Sequence, residues 1–332
     1  MVTIRDVAKA AGVSVATASR ALNGLSNVTR ETREKIEGVA ARLNYIPHSG
    51  ARSLTRRTTD TIGVILPDLF GEFFSEIIRG IDLVVHGAGK NLLLGNMHGS
   101  ADETGQAIRS MRGRVDGLLV MPPNSSADSI GDALTQDIPT VLLNARAVDE
   151  ATPFVTVDNY AGARLVTEHL IDRGARKIVH IAGPASNRDA SERLRGYRDV
   201  LSERLGDDNP IILPGNFRED DGRAAARLLL TGEQAFDAIF AGNDLMAVDV
   251  MSEMREAGVD IGREVLVAGF DDIPLARYVT PQLTTVHSDI TRLGSAAALM
   301  LLRMLKGETI GAAHGLTIPP TLAIRGSTAG QG

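Results

Sequence analysis

The sequence predicts two architectures in one chain: a small all-α head followed by a two-lobed α/β body of doubly wound parallel sheets. Three observations carry this expectation. Residues 1–46 hold three short helical patterns separated by capping and glycine signals, residues from 60 onward alternate short β-branched runs with helical ones, and the charge changes sign between the two parts. Repeated strand-then-helix units are the pattern of parallel sheets covered by helices on both faces. The expected division is 1–46 for the head, 47–59 for a hinge or linker and 60–332 for the body.

In the head, Thr3 caps a helix carrying Ile4, Val7, Ala8 and Ala11 at helical spacing. Gly12 then stands where a helix C-terminus favours a left-handed residue. Ser14 offers a second N-cap to the run from Val15 to Leu22, and Asn23-Gly24 closes it. A third helix starts from Thr29 and places Val39, Ala40 and Leu43 on an apolar stripe that braces the first two. Two short helices joined by a tight Gly turn form a helix-turn-helix, whose second helix enters the DNA major groove.

The charge distribution supports a nucleic-acid-binding head. Residues 1–60 hold ten Lys/Arg against five Asp/Glu, a net +5, whereas the whole chain carries −6, so the remainder carries −11. Phosphate neutralisation supplies sequence-independent affinity, and an acidic body avoids other polyanions. Ser14, Thr17 and Ser19 suit phosphates, Val15 and Ala16 suit thymine methyls, and Arg20 can reach guanine O6 and N7 together. Asn27 and Thr29, at the start of the third helix, serve as caps and as phosphate donors.

In the body, Ile62–Leu66, Gly117–Val120, Thr140–Leu143, Lys177–Ile181, Ala238–Phe240 and Val265–Ala268 read as buried parallel strands, with helices such as Phe74–His86 and Gly162–Arg173 between them. A last apolar strand is expected over Leu316–Ile324. Ligands of such sheets sit beyond the strand C-terminal ends. There the chain places Pro67-Asp68, Gly183-Pro184, Gly242-Asn243-Asp244 and Gly269-Phe270-Asp271.

Composition excludes several classes. At 43% hydrophobic and 23% charged residues the chain is neither globally disordered nor collagen-like. The absence of Cys removes disulfides, thiolate metal sites and cysteine nucleophiles, and accords with a reducing cytoplasm. The N-terminus MVTIRDVAKA is charged before any apolar run, so no signal peptide is expected and the protein is placed in the cytoplasm. The longest apolar stretch, Ala296 to Leu305, is broken by Arg303 and is too short to span a bilayer, which needs roughly 20 residues. No GxGxxG opens a helix, and Gly87-Ala88-Gly89-Lys90-Asn91 lacks the Ser or Thr of a phosphate loop. The seven His, at 48, 86, 98, 169, 180, 287 and 314, show no ligand spacing. No metal site, cofactor or enzymatic activity is expected.

The run TIRDVAKAAGVSVATASRALNG, followed by VTRETREKI and LNYIPHSGARSL, resembles the head of the LacI/GalR family of transcriptional repressors. The resemblance continues through IGVILPD, GEFFSEIIRGID, RVDGLLVMPP, HLIDRGARKIVHIAGP, AIFAGNDLMAVDVM and VLVAGFDDI to LTTVHSDI, covering almost the whole chain. It implies a periplasmic-binding-protein-like body, binding of a homodimer to a pseudo-palindromic operator, and control by a small molecule. It also implies a hinge helix that orders on DNA and inserts Leu54 into the minor groove. The matched head positions add Thr3, Asn23, Tyr45 and Ala51 to the DNA-contacting set.

For the effector the resemblance implies Phe73 and Phe74 as an aromatic wall, Asn187, Asp189 and Arg193 as a polar set, Phe217 as an opposing aromatic, and Asn243 and Asp271 as further polar contacts. Apolar walls with a few fixed donors and acceptors suit a sugar, and two carboxylates in one pocket disfavour an anion. The alternatives are a nucleoside or purine effector, or a sugar-binding transport receptor. Family members often carry Asn-Pro before the paired aromatics, where this sequence has Gly71-Glu72. No leucine heptad follows Ile324, so a dimer is expected rather than a coiled-coil tetramer.

Overall fold

The computed structural model describes residues 2–24, 27–45, 58–97, 101–122, 138–145, 150–232 and 234–329. Residues 47–57 of the expected hinge, with Ala51 and Leu54, and the tail at 330–332 lie outside the described residues. The chain forms two compact units, residues 1–61 with 113–116 and the remainder.

The first unit carries three helices, α1 (Ile4–Ala11), α2 (Val15–Leu22) and α3 (Arg30–Arg42). Each starts where the sequence places a cap. The Asp6 carboxylate accepts the Thr3 N–H at 2.9 Å and its hydroxyl at 2.8 Å, which holds the Asp6 pKa below its ordinary value. Ser14 Oγ accepts the Thr17 N–H at 3.0 Å and Thr29 Oγ1 that of Thr32 at 3.4 Å. Gly12, at φ 68°, ends α1 in the left-handed conformation that glycine adopts without a Cβ penalty. The core of this unit is small: Val7, Ala8, Ala18, Ala21, Ile36 and Val39 are buried. Alanines at the crossings let the helices approach closely.

The second unit contains two six-stranded sheets. The first lobe holds β1 (Thr61–Leu66), α4 (Glu72–Gly87), β2 (Asn91–Asn96), α5 (Ala101–Met111), β3 (Gly117–Val120), β4 (Thr140–Leu143) and β5 (Phe154–Val157). The second holds α6 (Asn159–Asp172), β6 (Ile178–Ile181), α7 (Arg188–Leu205), β7 (Ile211–Leu213), α8 (Asp221–Thr231), β8 (Ala238–Ala241), α9 (Asp244–Glu256), β9 (Leu266–Asp271) and β10 (Thr284–His287). Then α10 (Ile290–Leu305) and β11 (Leu316–Ile318) return to the first lobe and β12 (Thr321–Ala323) to the second. The sheet orders are β11-β5-β4-β3-β1-β2 and β12-β10-β9-β8-β6-β7. The chain therefore crosses between lobes three times, after β5, β10 and β11.

One expected strand is two. Pro319-Pro320 interrupts Leu316–Ile324, and because proline has no N–H to donate, the ladder stops there and the chain changes sheets. β11 pairs parallel with β5, whereas β12 pairs antiparallel with β10, so the second sheet is not wholly parallel. The strand expected from Lys177 begins at Ile178, that over Ala238–Phe240 runs to Ala241, and that over Val265–Ala268 is Leu266–Asp271. The extra length of β9 places Asp271 at the strand end. Parallel strands buried on both faces account for the continuous apolar runs, as in β3 and β4, whose residues are all buried.

Candidate effector cleft and nucleic-acid face

Arg193 is the centre of the polar site. It lies on α7 with 5% of its surface exposed. Its Nε donates to Asn159 Oδ1 at 2.8 Å, Nη1 to the Gly242 carbonyl, and Nη2 to Asp271 Oδ1 at 3.2 Å. The guanidinium carbon lies 3.7 Å from the centre of the Phe270 ring and 5.5 Å from that of Phe217. A buried guanidinium is tolerated only when its charge is paired and its donors are satisfied, and here β5–α6, β8 and β9 each supply an acceptor. Glu192, on the same helix, pairs with Arg195 rather than with Arg193.

Burial first, and nearby Asp189 with it, raises the Asp271 pKa to about 6 against the lowering by Arg193. Asp244, fully buried beneath it, is raised well above the ordinary carboxylate range by burial and then by Asp271. Its carboxylate accepts the Thr285 hydroxyl and, at 2.9 Å, the Ile273 N–H. Phe217 adopts φ 62°, a strained conformation for an aromatic residue, and its carbonyl accepts from Asn243 Nδ2 at 3.3 Å. Its ring lies over Gly183: a Cβ there would fall 2.1 Å from a ring atom.

The other expected positions divide. Asn187 and Asn243 cap α7 and α9, their Oδ1 atoms accepting the N–H groups of Ala190 and Met246 at 3.0 Å. Asp189, in the first turn of α7, lines a cavity of about 230 Å³ between the lobes. Phe73 and Phe74 do not line that cavity; they pack edge to face, 5.3 Å apart, against the apolar cluster of the first lobe.

The cavity exposes residues that the sequence reading did not select: Asn144, Thr156, Asn159, Arg188 and Thr317. Asn144, 4% exposed, leaves its Oδ1 without a hydrogen-bond partner among the described residues, so the cavity offers a buried acceptor. The signal that located Asn243 and Asp271, polar residues directly after a buried strand, also marks Asn144 after β4 and Asp158-Asn159 after β5. Among the described residues no group of three or more His, Asp and Glu is placed to hold a metal, and no helix is long and apolar enough to cross a membrane.

On the head, Ser14, Val15, Ala16 and Arg20 are exposed along the start and outer face of α2, with Thr17 and Ser19 half-buried. Val15 stands out: a β-branched side chain 43% exposed at the start of the helix. Ser14 Oγ and Thr17 Oγ1 lie 2.9 Å apart. Thr3, Asn27 and Thr29 are exposed, and Tyr45 packs partly against the helical core. Asn23 departs from the expectation of an exposed contact: it is 8% exposed and donates to Ser19 Oγ at 3.3 Å, which positions Ser19.

Comparison with known proteins places the chain in a family. Residues 3–48 match the family profile described as bacterial regulatory proteins, lacI family, and residues 167–328 that of a periplasmic binding protein-like domain. The ribose operon repressor of Halalkalibacterium halodurans is 34% identical over 99% of this chain and 98% of its own. The chain belongs to the lacI family of bacterial regulatory proteins. The transcriptional repressor PurR of Vibrio atlanticus is 36% identical over 93% of each chain. A lac repressor dimer bound to operator and the anti-inducer ONPF superposes with a TM-score of 0.87 at 29% identity, covering 98% of this chain and 99% of that one. This LacI-family member is an effector-controlled transcriptional repressor with a DNA-binding head.

Proposed function

We propose that this repressor acts as a homodimer on a pseudo-palindromic operator in the bacterial cytoplasm and that a small uncharged sugar in the cleft controls it. The observation that carries the effector reading is the pairing of Arg193, held by Asn159, Gly242 and Asp271, with an adjoining polar cavity of about 230 Å³. That volume lies below the usual range of roughly 300–1,000 Å³ for ligand pockets and suits a single sugar ring better than a disaccharide or nucleoside. Hydroxyl groups both donate and accept, so they can serve Asn144 Oδ1 and Arg188, which both line the cavity, at once. The ribose operon repressor is named for a sugar operon, in agreement with this reading.

A purine is the second reading, favoured by the 36% identity to PurR and by the rings of Phe217 and Phe270 beside Arg193. Thermal unfolding in the presence of D-ribose, D-galactose, D-glucose, cellobiose, adenosine and hypoxanthine separates the two, because a ligand at 100 times its Kd stabilises by about 2.7 kcal/mol. A shift with purines alone would overturn the sugar assignment. In the head, Ser14, Thr17, Ser19, Asn27 and Thr29 supply phosphate contacts, and Val15, Ala16 and Arg20 read base edges. Thr3 and Tyr45 complete that face, and Ala51 and Leu54 belong to the hinge.

A further inference from the structure

The two sides of the cleft are built differently. On the side of β4, β5 and β11 the lobes leave the polar cavity already described. On the side of α4 they are bonded and apolar: Ile273 of the second lobe is buried in the apolar cluster of the first, and Leu245 and Leu275 pack against that cluster with Phe73 and Phe74. Gly71, at φ 91°, borders this seam: a Cβ there would be in ordinary van der Waals contact with Leu245 Cδ1, 3.8 Å away. At this seam Glu72 Oε2, on the first turn of α4, accepts the Leu275 N–H of the second lobe at 2.8 Å.

The Leu275 N–H belongs to the first turn of the 3₁₀ helix Pro274–Arg277, which receives no side-chain cap from its own N-cap residue, Ile273. A first-turn N–H needs an acceptor from elsewhere, and Glu72 supplies it across the cleft. The segment it holds begins at Asp271, the partner of Arg193, and its Ile273 N–H is fixed within the second lobe by Asp244. Glu72 therefore joins the helix that carries Phe73 and Phe74 to the loop that carries Asp271.

We infer that Glu72 is a positioning residue of the effector cleft, holding the Leu275 peptide so that the two lobes meet at a fixed separation beside Arg193. The inference rests on the reading of the cleft as the effector site. A carboxylate at the first turn of α4 is in addition favoured by that helix's dipole.

The test needs neither effector nor operator, so its failure is distinct from failure of the sugar reading. Amide hydrogen exchange of the full-length protein is followed by mass spectrometry on the peptide spanning residues 273–279. Glu72→Ala is expected to accelerate exchange at one amide, Leu275, by tenfold or more, while Glu72→Gln, which keeps an acceptor oxygen, stays within about threefold of the parent; amides of β1 and β9 stay unchanged. A second readout uses the Cys-free background: with cysteines at Thr317 and Arg188, which line the cavity from the two lobes, Glu72→Ala lowers the rate of bis-maleimide cross-linking at least threefold and Glu72→Gln restores it. Unchanged protection of Leu275 in Glu72→Ala overturns the inference. So does equal acceleration in β1 and β9, because Glu72 would then stabilise the fold at large.

Discussion

The guanidinium of Arg193 stacks on Phe270, 3.7 Å from the ring centre, while its edge donates to the carboxylate of the next residue, Asp271, at 3.2 Å. One strand end thus supplies both the apolar face and the charge that a buried arginine requires.

Removing the side chain leaves several buried groups unpaired at once. Arg193→Ala is expected to cost about 3–5 kcal/mol in urea unfolding, because Asp271 and Asn159 lose their donor in the interior. Arg193→Lys keeps the charge but not the planar fork, and should retain most stability while losing effector-induced thermal shift. Combined with Asp271→Asn, the alanine change is expected to be less than additive, since the two share one interaction. Full additivity would show that the pair is not coupled.

Gly183 tests the placement of Phe217. Alanine there would put its Cβ 2.1 Å from the ring, which must move and disturb the Asn243 bond to the Phe217 carbonyl. Gly183→Ala is expected to destabilise by about 1–3 kcal/mol through overpacking. The double variant Gly183→Ala/Phe217→Ala should be less destabilised than the sum of its parts in thermal unfolding; simple additivity would mean that the ring does not occupy this space.

Two buried groups make opposite contributions to acid stability. His180 is fully buried between Tyr197 and Phe240, with Nδ1 donating to the Phe240 carbonyl at 2.9 Å, and burial pushes its pKa down to about 4 from 6.5. Between these values the unfolded chain takes up a proton that the native state refuses, so stability falls as pH drops through the window. Asp271 is raised to about 6 from 3.8, so there the native state takes the proton first and stability rises as pH falls. Between pH 7 and pH 5, His180→Phe is expected to lose less stability than the parent, by on the order of 1–2 kcal/mol, and Asp271→Asn to lose more. Urea midpoints across that range decide it, and parallel pH profiles for all three proteins would refute both assignments.

The head makes a separable prediction. Ser14→Ala removes the acceptor for the Thr17 N–H and should cost about 1 kcal/mol of head stability. It should weaken binding to all duplexes, whereas Arg20→Ala should lower preference for a genomic operator over random DNA by tenfold or more. Fluorescence anisotropy at several salt concentrations distinguishes these effects. Wild-type affinity should fall steeply with salt as counterions are released. Equal loss on operator and random DNA for Arg20→Ala would exclude it from base readout.

Much of this was legible in local chemistry. Thr3, Ser14 and Thr29 mark the starts of the head helices within their own sequence neighbourhood, and Gly12 marks an end, because capping depends on three or four adjacent residues. The strands β1, β3, β4, β6 and β8 announce themselves as short β-branched or apolar runs. Strand β2, with Gly95 and an Asn at each end, and β10, with two threonines, do not, since their membership depends on a neighbouring strand rather than on their own hydrophobicity.

The sequence by itself determined a basic three-helix head, an alternating α/β body and the residue types of a polar pocket, because helix caps, strand periodicity and charge are properties of short stretches. Only the tertiary structure decided that Asn243 and Asn187 cap helices, that Phe73 and Phe74 face a seam rather than the open cavity, and that Asn144 and Asn159 line that cavity. These residues come from separate strands and both lobes, and their roles depend on desolvation and on which acceptor meets which donor. Distances between remote segments fix that; a local pattern marks polar residues at strand ends but not which of them meet.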